Sequence, residues 1–246
     1  MNDNYFYPKW NVPNNIKSIQ TQRQSGSSSG CFSSFNLSYD VGDNQTSVNR
    51  NLITLNSYLP ASPYWLNQIH ENIAIELPCD KSLLDADASF TMQKKIVCAV
   101  RTADCLPILL TNVNGDFVSA IHAGWRSLAS GIIENTLNKV KSKSQIIAWL
   151  GPSISESSYE VGEQVYDIFT QNDPDSKCGF KKLRTNKYLL DLPKIALVKL
   201  RKKGVSKLFG AGVDESFCTY RDNDSFYSYR RDGSTGRMAS LIWIDS

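Results

Sequence analysis

The chain is poor in histidine: of its 246 residues, only His70 and His122 carry an imidazole. That leaves little choice of where a general base or an imidazole metal ligand can sit near neutral pH. Neither HExxH nor a CxxC pair occurs, so no short motif announces a metal or redox site. No apolar run approaches the roughly 18 to 20 residues that span a bilayer, and no membrane partner is expected. The opening residues MNDNYFYPKW lack the basic and apolar segments of a secretory signal. The six cysteines, at 31, 79, 98, 105, 178 and 218, are therefore expected as reduced thiols in a cytoplasm. A net charge of +3 is too weak to indicate nucleic acid, and the basic run at 199–203 reads as the solvated face of a helix. Neither an internal repeat nor a compositional break divides the chain, so one domain over 1–246 is expected.

What is present is an ordinary globular composition, 41% hydrophobic and 21% charged, long enough to bury a sizeable core. The polar stretch QTQRQSGSSSGC reads as a flexible loop that could lie over a site. Val48, Leu52 and Leu55 share one face of a helix. A connector over 80–88 precedes IVCAV, a short buried strand at 96–100. Pro107 argues against a central-strand position for itself, so a bend or bulge is expected over 104–107. Asn114-Gly115 marks a hairpin turn, with FVSAIHA as the returning strand. A helix is expected over 127–141, a buried strand over 146–151, and helices over 162–170 and 191–203. Asp191 caps the last of these and Gly204 stops it. MASLIWI is a final strand. Helices alternate with strands, but several strands are hairpin-linked. The pattern indicates a mixed-sheet α/β or α+β fold.

A hairpin turning at Asn114 pairs positions that sum to about 227, so Cys105 and His122 approach each other by local geometry. His70, in WLNQIHENI, can join them only by tertiary folding. Two imidazoles and one thiolate make a sensible zinc site with an open fourth position. The same residues also fit a cysteine nucleophile with a histidine base, with Asp104 to orient it. Strand alternation, however, points Asp104 away from Cys105. Each of the three could equally be a hydrogen-bonded or packed core residue. Spacing alone leaves these readings open.

Longer motifs reduce the choice. SSFNLSYDVGDN with SVNRNLI, then NQIH, TADCLPILL, IHAGWRSLASGIIENTL, AWLGPSIS, FCTY and FYSYRRDGSTGRMASLIW occur in this order. Together they resemble the YfiH family, also called DUF152 or multicopper polyphenol oxidase (laccase)-type proteins, a group that includes the human laccase-domain-containing protein. The resemblance runs over 19–244, leaving 1–18 as an N-terminal extension or edge segment. It implies a sandwich with sheets at the centre and helices outside, and a zinc site of His70, Cys105 and His122. It implies activity on purine nucleosides with inorganic phosphate: phosphorolysis of adenosine, inosine, guanosine and 5′-methylthioadenosine, and deamination of adenosine to inosine. The older label is a copper-dependent oxidase. Cu(II) can bind such ligands in vitro, but two histidines cannot build several copper centres. A metal-free cysteine hydrolase is the remaining alternative. Three positions depart from the family's usual glycines or early-loop pattern: Glu71 after the first histidine, Ser127 after HAGWR, and the stretch TQRQSG.

Phosphate is best held by arginine. Arg50, Arg126 and Arg231 sit in resembling motifs and are the expected contacts, with Arg23 in the early loop as a further one. Asn36, in SSFNLSYD, is an expected substrate contact. Tyr229 or Phe226 could stack on a purine. Asp104, beside a ligand, is the expected acid/base group or the carboxylate that orients a histidine.

Overall fold

The computed structural model describes residues 4–79 and 84–245. In chain order the strands are β1 (Tyr5–Phe6), β2 (Ile16–Thr21), β3 (Ala74–Glu76), β4 (Ala88–Thr91), β5 (Cys98–Thr102), β6 (Leu106–Asn112), β7 (Val118–Ala123), β8 (Ile146–Leu150), β9 (Glu160–Gly162), β10 (Phe180–Arg184), β11 (Lys187–Leu190), β12 (Lys207–Gly210) and β13 (Met238–Ile244). The α-helices are α1 (Gln45–Asn56), α2 (Trp125–Ala129), α3 (Ile132–Val140), α4 (Glu163–Asn172), α5 (Leu192–Lys202) and α6 (Tyr229–Asp232). One sheet runs β12-β8-β6-β7-β4-β3 and a second runs β1-β2-β13-β5. A small third sheet, β10-β11-β9, stands beside them.

The two larger sheets face each other across Ile16, Val100, Leu109, Val118, Ala120, Trp149 and Ile242. On the outer side of the six-stranded sheet, Ile108, Leu110, Ile121 and Leu150 meet α3, α4 and α5 through Ile133, Leu137, Phe169, Ile195 and Leu200. On the outer side of the four-stranded sheet, Ile19, Ala99 and Leu241 meet Leu55 of α1. The order is helix, sheet, sheet, helices, which is the mixed α/β sandwich the sequence indicates. Because β6 is buried on both faces, LPILL reads as a continuous apolar run rather than an alternating one. Among the described residues no helix is long and apolar enough to cross a membrane.

Local signals account for several elements. Asn44 accepts from the Ser47 N–H to begin α1. The Asp191 side chain accepts from the Lys194 N–H to begin α5, and Gly204 follows its end at φ 80°.

Other expectations need correction. Strand 96–100 lies two residues later, at Cys98–Thr102. The helix over 127–141 is two helices, because Gly131 at φ 91° breaks it between α2 and α3. The bend comes at 103–105, and Pro107 lies within β6. Its carbonyl accepts from Gly151 N on the β8 side, just beyond the paired end of that strand, so its missing N–H breaks no ladder bond. The connector over 80–88 ends early: Ala88 already belongs to β4, while residues 80–83 lie outside the described residues. The serine-rich loop is pinned rather than loose. Its Ser27 N–H donates to Asn51, its Gly26 N–H donates to Ser34, and Arg23 donates to Ser33 and Asn223.

Candidate metal centre and active-site cavity

The β6–β7 hairpin pairs Leu106 with Ala123, a register sum of 229, two more than the expected 227 and the sum that a two-residue turn at Asn114-Gly115 gives. Five residues, 113–117, form the loop. Asn112 organises it by accepting from Asn114 N and Asp116 N. This register puts Pro107 opposite His122 and, extended by one, Gly124 opposite Cys105. The approach of Cys105 and His122 survives because position 124 is glycine. A Cβ there would lie 3.1 Å from Cys105 Sγ, 3.1 Å from His70 Cδ2 and 3.6 Å from His122 Cε1.

His70 arrives on the loop after Leu66, at φ 61°. Its ring meets the His122 ring edge-on, with centroids 4.8 Å apart. The ligand atoms of His70, Cys105 and His122 all lie within 4.8 Å of one another. A contraction of about 1 Å would bring them to tetrahedral zinc distances. The donor set fits zinc: two imidazole nitrogens, one sulfur and room for a fourth ligand. Burial pushes the Cys105 thiol up, but the charge and hydrogen bonds of His122 and those of His70 outweigh it and bring it down to about 6. Burial pulls His122 down, but Cys105 and Asp87 outweigh that and raise it to about 9. The cluster thus favours a thiolate, the form that binds metal.

Asp87, which the sequence reading passed over as connector, organises the centre. It is fully buried and faces His122 from the start of β4. One carboxylate oxygen lies 2.7 Å from His122 Nδ1 and also accepts from His70 N. The other accepts from Glu71 N. A proton held on Nδ1 by this carboxylate leaves Nε2 as the ligand atom. Asp104, the residue expected to orient a histidine, does something else. Its two oxygens accept from Thr219 Oγ1 and Arg230 N, tying the bend at 103–105 to Thr219 and to the first turn of α6.

His70, Cys105 and His122 open into a cavity of about 500 Å³. Arg101, Arg237, Gln68, Ser38 and Tyr229 also line it. Tyr229 is 61% exposed at its mouth, with the Arg237 guanidinium 5.9 Å from its ring centroid. The other expected contacts are elsewhere. Asn36 is buried and holds Ser38, Asp43 and the Arg237 N–H. Arg231 donates to the carbonyls of Thr219, Tyr220 and Phe226. Arg23 is spent on Ser33 and Asn223, and Arg50 is exposed on α1. Arg126 stacks on Trp125 and lines a shallower cleft on the other side of His70, with Glu71. Phe226 is buried against Phe217. The sequence reading missed Asp87, Arg101 and Arg237. Arg101 stands in RTADC and Arg237 in TGRMAS, but only the β5–β13 pairing brings them to one cavity.

A family model described as multi-copper polyphenol oxidoreductase laccase matches residues 17–245. A purine nucleoside phosphorylase of Haemophilus influenzae is 41% identical over 243 residues, covering 97% of this chain and 98% of that protein. Purine nucleoside phosphorylase YfiH of Escherichia coli is 39% identical over 241 residues, covering 96% and 97%. Among solved structures, Neisseria meningitidis protein NMB0706, of the DUF152 family, superposes with a TM-score of 0.91 at 40% identity, covering 99% of this chain and all of that one. With nearly its whole length matched, the chain belongs to the multi-copper polyphenol oxidoreductase laccase family, the YfiH or DUF152 group.

Proposed function

We propose that this chain is a zinc-dependent purine nucleoside phosphorylase acting in the cytoplasm on adenosine, inosine, guanosine and 5′-methylthioadenosine, and that it also deaminates adenosine to inosine. The observation that carries the reading is the His70–Cys105–His122 cluster opening into a cavity that carries arginines and an exposed tyrosine. The relatives' names point to the same chemistry. In phosphorolysis a phosphate oxygen bonds to C1′ of the ribose as the bond from C1′ to the purine nitrogen breaks. The electron pair leaves with the purine, which takes up a proton. His70, Cys105 and His122 would hold the zinc, which would supply Lewis acidity when bound. Asp87 holds the Nδ1 proton of His122 and keeps that ring in one tautomer. Tyr229 offers a ring face at the mouth of the cavity for a purine to stack on.

Metal-loaded protein incubated with inosine and phosphate should release hypoxanthine and ribose 1-phosphate in equal amounts, and Cys105→Ala should abolish both. Release of base that does not depend on phosphate, or no release at all, would overturn the reading. The Cys105–His122 pair also suits a cysteine hydrolase. That alternative requires amide cleavage by metal-free protein, so metal analysis beside the assay separates the two. The copper oxidase reading draws on the family's description, yet two histidines are too few for several copper centres.

A further inference from the structure

We propose that Arg101 and Arg237 form the phosphate subsite of the cavity, gripping one phosphate dianion between two guanidinium groups. The inference rests on phosphorolysis as the reaction of this site, and it moves the anion contact away from the arginines that sequence motifs favoured.

The placement follows from strand pairing. Arg101 of β5 lies opposite Ala239 of β13, and Arg237 is two residues before Ala239. Side chains two apart share a face, so the two arginines are diagonal neighbours on one face, with only the methyl of Ala239 directly across from Arg101. Both arginines line the cavity that holds His70, Cys105 and His122. Each is held by neutral groups. Arg101 donates to Ser38 Oγ and the Leu66 carbonyl, with its guanidinium carbon 5.3 Å from the Trp65 ring centroid. Arg237 donates through Nη1 to the carbonyls of Thr235 and Gly236. The nearest carboxylate to Arg101 is Asp40, at 3.6 Å, and its side chain is 80% exposed. Among the described residues no carboxylate forms an ion pair with Arg237. Two cations are therefore fixed in a partly buried space; Arg101 has only the water-facing Asp40 as an ion pair, and Arg237 feels Cys105 and Asp104 from a distance without pairing with either. Like charges so placed repel unless an anion joins them. A phosphate dianion supplies the missing charge and accepts paired N–H bonds from guanidinium forks. The Arg237 Nε and Nη2 donate to no described protein group, which leaves them for such a ligand.

The test is calorimetric binding of inorganic phosphate to the zinc-loaded protein, with phosphate KM measured in parallel. Arg237→Gln should weaken phosphate binding at least tenfold while the KM for inosine changes less than twofold. Arg237→Lys, which keeps the charge but loses the fork, should weaken it less. Arg101→Lys should act in the same direction, and unchanged circular dichroism shows that the fold is kept. Wild-type protein that binds no phosphate overturns the proposal. So does unchanged binding in Arg237→Gln, or a loss that appears in Arg126→Gln instead. Phosphate binding that depends on Arg237 in a protein without phosphorolysis upholds the subsite and rejects the reaction.

Discussion

The Asp87 carboxylate gathers the His122 imidazole and two backbone N–H groups, those of His70 and Glu71. It therefore sets the tautomer of one ligand and the loop position of another. Asp87→Asn keeps the size but loses the charge. Zinc affinity, measured by competition with a chelator, should fall about 10- to 100-fold. Unchanged affinity would show that His122 holds its tautomer without help. Gly124 matters for a different reason. Its backbone is ordinary, at φ −65°, so alanine introduces no strain there. The added methyl, however, would stand 3.1 Å from both Cys105 Sγ and His70 Cδ2. Gly124→Ala should lower zinc occupancy and leave the unfolding free energy of the metal-free protein within about 1 kcal/mol of the parent, because the crowding falls on the candidate ligands rather than the core.

At the scale of elements, the ends of α4 and the start of the following turn are tied to α5 by charge. Asp173 accepts from Lys202 at 2.6 Å and lies 3.9 Å from the buried Lys199. Burial pushes the Asp173 carboxyl up, but Lys202, the Asp175 N–H and Lys199 outweigh it, and the net shift is downward. A carboxyl depressed by folding stabilises the fold above its unfolded pKa. That contribution disappears as pH falls through the folded value. Asp173→Asn should therefore lower the urea midpoint at neutral pH. The gap from the parent should close as pH drops below about 3.9 and on through the depressed folded value. A gap independent of pH would assign the effect to packing. Asn51 does similar work for the serine-rich loop without charge: buried on α1, it donates to Ser28, Ser34 and Asn36 and accepts from Ser27. The polar composition of that loop suggests mobility, yet one buried amide of a distant helix satisfies its backbone.

For the whole molecule, the three candidate metal ligands come from separate stretches: the loop after Leu66, the bend between β5 and β6, and the end of β7. The bend joins the four-stranded sheet to the six-stranded one, so an ion bound there clips the two sheets together at one end. Zinc at about 100 times its Kd should add about 2.7 kcal/mol to stability. A thermal scan should show the rise in wild-type protein and none in His122→Ala. A melting point indifferent to zinc would argue that the cluster is not a zinc site.

Much of this protein is legible in its amino-acid order. MASLIWI becomes β13 residue for residue, IIAWL becomes β8, and the Asp191 cap and Gly204 stop bound α5 as read. These signals are local: burial period, side-chain caps and glycine at positive φ act within a few residues. The approach of Cys105 and His122 is nearly local too, since a hairpin supplies it, although the loop is longer than the turn residues imply. His70 was named through its motif, not through geometry. Asp87, Arg101 and Arg237 remained unread because their partners are distant along the chain. Asp87 faces His122 across the β4–β7 pairing, and Arg101 meets Arg237 across β5–β13. An isolated Asp or Arg in a sequence carries no mark of the strand it will lie beside. The chain by itself determined its elements and the ligand motifs. Only the pairing of strands distant in the chain decided which carboxylate steadies the histidine and which arginines share the cavity, because strand partners are chosen by burial over the whole fold.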